Sequence, residues 1–107
     1  MYFLMRCLHR PEMVAMRDTH RAEHRDWVQS GGKGRAAVLI GSALLDGDGK
    51  AVGNFGLLSA LDEDSARAFA EGDPFNRAGI VETIELTRLP DTFQAHRITE
   101  PMTEISG

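Results

Sequence analysis

Near the middle of the chain, "RAAVLIGSALL" (35–45) and "AVGNFGLLSAL" (51–61) stand on either side of "DGDGK" (46–50). Two apolar, partly β-branched runs joined by a short Asp/Gly turn predict an antiparallel hairpin. The hairpin is flanked on each side by room for one helix and one strand. "YFLMRCL" (2–8), stopped by Pro11, reads as the first strand. From Pro11 to Gly31 there is no other breaker, and Met13, Met16, His20, Glu23, His24 and Trp27 recur at three- and four-residue steps. That spacing predicts an amphipathic helix beginning near Pro11, a residue suited to a first helical turn. "GGKG" (31–34) ends it, because glycine supplies the left-handed conformations of a C-cap. Asp62 is the expected N-cap of a second helix, "EDSARAFAE", which ends at Gly72. "GIVETIELTRL" (79–89) is the expected last strand. "PDTFQAHRITEPMTEISG" (90–107), with two prolines and little periodicity, is expected to be a C-terminal tail outside a domain of residues 1–89. The order β-α-β-β-α-β specifies an α+β, ferredoxin-like fold whose four-stranded antiparallel sheet carries both helices on one face.

The other face of that sheet needs a cover. Val38, Leu39 and Ile40 run consecutively, as do Leu57 and Leu58, whereas a half-exposed antiparallel sheet alternates apolar and polar residues. A chain of 107 residues has room for one domain, so the expected cover is a second copy, sheet against sheet, in a homodimer. Acidic residues outnumber basic ones by 16 to 12, which argues against a nucleic-acid partner. No stretch approaches the ~18 consecutive apolar residues of a membrane span. Arg6 interrupts the apolar N-terminus and no small-residue cleavage site follows, so no membrane partner and a cytoplasmic location are expected. The single cysteine, Cys7, lies in an apolar run and reads as a buried thiol.

"HRAEH" (20–24) has the letters of a zinc-protease motif, H-x-x-E-H. His20 and His24 would lie one turn apart on a helix, as two metal ligands require. No third ligand is singled out among the remaining acids, His9 and His96, and Arg17, Arg21 and Arg25 surround the pair with positive charge that opposes a dication. No metal is expected. The alternative partner for a histidine is a carboxylate from "DPFNRAG" (73–79). Pro74 holds Asp73 extended, Phe75 offers an anchor to the core, and the turn fixes where one carboxylate points. On residue types alone, the capping of a turn is the commoner role of an Asp before Pro.

Together "RDTHRAEH" (17–24), "IGSALLDGDG" (40–49) and "DPFNRAGIVE" (73–82) resemble the YCII-related domain family, in the family's order over residues 2–89. The combination of R-x-x-x-R-x-x-H with D-P-F carries the resemblance. It implies a dimeric α+β barrel built from ferredoxin-like subunits, and a catalytic pair made of His24 and Asp73. His20 falls outside the family's pattern. The chain departs from that pattern at Arg25, where leucine is usual, at Ser42, where proline is usual, and at "HRP", where His9 replaces a common acid.

A carboxylate bonded to one imidazole nitrogen fixes the tautomer and leaves the other nitrogen to exchange a proton with substrate. Arg17 and Arg21 are candidates to hold an anionic group, with Ser42 and Phe75 completing the expected substrate-binding set. The expected function is therefore cofactor-independent acid–base chemistry on a small organic anion, in the manner of a lyase or isomerase. No dinucleotide or P-loop motif is present. The alternative is a non-catalytic dimer that binds a small ligand or serves as a regulatory module. What separates the two is whether His24 and Asp73 share a hydrogen bond inside an enclosed cavity.

Overall fold

The computed structural model describes residues 1–104. Strands β1 (Tyr2–His9), β2 (Ala37–Leu45), β3 (Ala51–Ser59) and β4 (Val81–Leu89) form one sheet in the order β2-β3-β1-β4. Every neighbouring pair is antiparallel. Helices α1 (Arg17–Gln29) and α2 (Glu63–Gly72) complete the β-α-β-β-α-β order expected from the hairpin and its flanks.

Alternation along the strands decides which face meets the helices. Phe3, Met5 and Cys7 of β1, with Val38 of β2 and Leu58 of β3, are buried together with Phe69, Phe75 and Ile80. The odd positions of β1 therefore make the core. Tyr2, Leu4, Arg6 and Leu8 belong to the open face. The consecutive Val38-Leu39-Ile40 run has a local cause: the β2–β3 register shifts between Val38 and Ile40, leaving one extra residue in β2. Val38 then faces the helices at 3% exposure and Ile40 the open side at 46%.

The first helix differs from expectation at its start. Pro11–Met16 is a 3-10 helix, and α-helical geometry begins only at Arg17. Pro11 occupies a first-turn position, as its missing N–H allows, but no side chain caps the segment. The "GGKG" stop is more than one C-cap glycine. Gly31, Gly32, Lys33 and Gly34 all take positive φ, a left-handed turn in which Lys33 is the one residue with a side chain. Asp62 caps α2, accepting a hydrogen bond from Ser65 N at 2.8 Å. Gly72 at its end lets α1 approach: a Cβ there would lie 2.6 Å from the ring of Trp27, whose indole Nε1 donates to Phe69 O.

Residues 90–104 leave β4 and return to the far edge of the sheet. Phe93 meets Tyr2 edge-on at 5.3 Å. Met102 N and Thr103 N then donate to Leu39 O and Val38 O, and Glu104 N to Gln29 O. The buried Thr103 hydroxyl donates to Val28 O and accepts from Val38 N, both at 2.7 Å. These residues tie the end of α1 to the outer edge of β2.

Candidate active site

Asp73 follows α2, and Pro74–Arg77 makes one further helical turn that Asp73 caps. Its Oδ1 accepts from Phe75 N at 2.8 Å, so the carboxylate orientation is set by its own turn. α1 brings His24 to it. His24 Nδ1 lies 2.9 Å from Asp73 Oδ1 and 2.8 Å from Oδ2. A carboxylate accepts, so Nδ1 is the donor and Nε2 is left without a protein partner among the described residues. The Phe75 ring stacks on the imidazole, centroids 4.2 Å apart and planes nearly parallel at 3°. The same ring meets the His9 ring nearly at right angles, centroids 5.8 Å apart. One aromatic anchor thus holds two histidines.

The pair lines a cavity of about 450 Å³ between α1 and the sheet. Part of its floor is backbone: Gly41 of β2 and Gly56 of β3 are register partners on the helix-facing side and both border the space. Met5, Val28, Val38 and Phe69 supply apolar wall, and Arg17, Arg21 and Arg25 line it as well. His24 and Asp73 therefore meet inside a partly enclosed, mostly apolar space with arginines in its lining.

The two arginines one turn apart do not stand alike. Arg17 lies against the wall, its Nη2 donating to Ala51 O at 3.3 Å and its Nη1 to His9 Nδ1 at 3.4 Å. Arg21 is half exposed and held by Asp18 at 2.8 Å. Ser42 borders the cavity, yet its register partner Phe55 pairs with Arg6 of the open face, and its hydroxyl donates to Ala43 O. His20 is outside the lining and lies 3.9 Å from Glu23. Among the described residues no three His, Cys, Asp or Glu side chains converge as a metal site would require.

Sequence reasoning did not place His9 or Asn54 in the site. His9, 5% exposed, ends β1, and its Nε2 lies 2.9 Å from Asn54 Oδ1 on β3. The arginine at Nδ1 only donates, so Nδ1 accepts and Nε2–H donates to Asn54: the ring is neutral in one tautomer. Burial lowers the His9 pKa, and Arg17 adds to that, against the opposing pull of the Asn54 bond and of Asp73. The available signal was an amide in the middle of an apolar strand. Cys7, two residues earlier on the same face, is pushed up to about 12, chiefly by burial and also by the nearby Asp73 charge.

A model of the YCII-related domain matches residues 1–90. The chain belongs to the YCII-related domain family. Among solved structures, a 5-chloro-2-hydroxyhydroquinone dehydrochlorinase from Burkholderia phenoliruptrix, in complex with 2,5-dihydroxybenzoquinone, is similar to this YCII-related chain. The two are 24% identical, the match covers 84% of this chain and 94% of that one, and the TM-score is 0.73. At that identity the likeness establishes the fold. No curated protein matches the chain.

Proposed function

We propose that this chain is a small enzyme in which His24, oriented by Asp73, moves a proton on a small organic anion without a cofactor. The observation that carries this is the contact of His24 Nδ1 with both Asp73 oxygens at the wall of the 450 Å³ cavity. Asp73 keeps the proton on Nδ1, so Nε2 offers its lone pair to an acidic C–H or O–H and returns the proton later in the cycle. Arg17 stabilises the negative charge of the bound anion. The dehydrochlorinase of similar fold, solved with a dihydroxylated quinone, supports hydroxylated ring compounds as the first substrates to try.

The proposed working unit is a homodimer in which a second copy covers the open sheet face. Register brings Leu4, Leu57 and Ile40 into one row on that face, which supports this arrangement.

The test is turnover of a panel of hydroxylated and chlorinated quinols and small lactone anions, followed by ultraviolet absorbance. Asp73→Asn should lower kcat about a hundredfold or more with little change in KM. Its amide oxygen can still accept from Phe75 N, which turns the amide nitrogen toward His24 and favours the wrong tautomer. Unchanged kcat in Asp73→Asn or His24→Gln would refute the acid–base role. Ligand binding without turnover across the panel would favour a non-catalytic ligand-binding module.

A further inference from the structure

Among the described residues Arg17 makes three hydrogen bonds, and every acceptor is neutral: Val14 O, Ala51 O and the Nδ1 of His9. No carboxylate lies within ion-pair distance of it among the described residues, whereas Asp18 holds Arg21. A guanidinium fixed in plane but not neutralised is prepared to take an incoming anion, because its orientation is set before binding. His9 is what makes this possible on one side. Its Nε2–H is committed to Asn54 Oδ1, so its Nδ1 lone pair faces Arg17. A carboxylate in that place would pair with Arg17 and cancel its charge, and a protonated imidazole would repel it.

We propose that His9 is a positioning residue that holds Arg17 un-neutralised at the cavity wall and thereby makes the site select a ligand carrying an anionic group. This deepens the substrate-site reading of the cavity and does not depend on His24 chemistry. An aromatic carboxylate and its neutral amide are suitable probes, since the apolar lining treats their rings alike and only the charge differs.

Binding of benzoate and benzamide is measured by titration calorimetry at pH 7.5 to the full chain and to His9→Asp and His9→Gln. The wild type should prefer benzoate by about tenfold, the scale of one charge-assisted hydrogen bond. His9→Asp should erase that preference, bringing benzoate down to the affinity of benzamide. His9→Gln, which restores a neutral acceptor, should keep most of it. Long-range 1H–15N correlation on the wild type should show His9 with Nε2 protonated and Nδ1 bare. The proposal is overturned if the wild type binds neither probe or both equally, or if the benzoate preference survives in His9→Asp. It is overturned too if both variants lose both probes alike, or if Nδ1 carries the proton. Should His9→Asp not fold, loss of the preference in His9→Gln counts against the proposal. Loss of catalysis by His24→Gln with the benzoate preference intact separates this inference from the acid–base one.

Discussion

His9 is neutral because it is buried between an arginine donor and an amide acceptor, and that state has a cost on acidification. Its folded pKa lies below the unfolded value of ~6.5, chiefly through burial. Between the two values the unfolded chain binds the extra proton, so this contribution to stability is complete above pH ~6.5 and is lost as pH falls through the folded value. The urea midpoint should therefore drop between pH 7.5 and pH 5.5 more steeply in the wild type than in His9→Gln; parallel slopes would show that His9 does not titrate differently on unfolding. Cys7, with its pKa pushed up to about 12, should resist alkylation in the native state and react only on unfolding. Prompt labelling of folded protein would contradict that burial. The residues of the cavity were unequally legible. Arg17, Arg21 and His24 lie in one short motif and Asp73 in another, and the pairing of His24 with Asp73, 49 residues away, was implied by the family resemblance those motifs carry rather than by spacing. The His9–Asn54 contact depends on the antiparallel register of β1 and β3, set by pairing between residues 45 apart in the chain, and no local pattern encodes it.

At the scale of elements, the hairpin, α2 and the order of elements along the chain followed from breakers and caps, because an Asp/Gly turn or an Asp N-cap acts on its immediate neighbours. The 3-10 start at Pro11–Met16 did not, since apolar spacing at three and four residues suits both helix types. Two long-range devices hold the helices. Gly72→Ala should place a methyl in the Trp27 ring at 2.6 Å and destabilise the fold by roughly 1–3 kcal/mol, read as a lower melting temperature. Thr103→Val removes the hydroxyl shared by Val28 O and Val38 N, leaving a buried donor without its partner at a cost of about 1–3 kcal/mol. If Thr103→Val melts with the wild type, residues 102–104 contribute nothing to the edge of β2. Their role was illegible in sequence because a single Thr in a proline-containing stretch gives no periodicity.

For the whole molecule, the open face of the sheet decides what the folded chain does next. Leu4, Leu57 and Ile40 form a row there, and Ile40 remains 46% exposed despite being a large β-branched residue. Phe93 packs on Tyr2 at one end, so a partner copy would have the Leu4–Leu57–Ile40 region to bury. An apolar row on an otherwise solvated sheet costs free energy until it is covered, and a two-fold axis lets the same row cover itself. Light scattering at micromolar concentration should then give about twice the chain mass of 11.8 kDa. Ile40→Lys should shift the protein to monomer while leaving its circular dichroism intact, because that side chain points away from the helices and their core. Leu58→Lys, on the opposite face at 0% exposure, should instead prevent folding. A wild type that scatters as a monomer with a folded spectrum would remove the case for sheet-to-sheet pairing. A dimer that survives Ile40→Lys would move the interface to another surface.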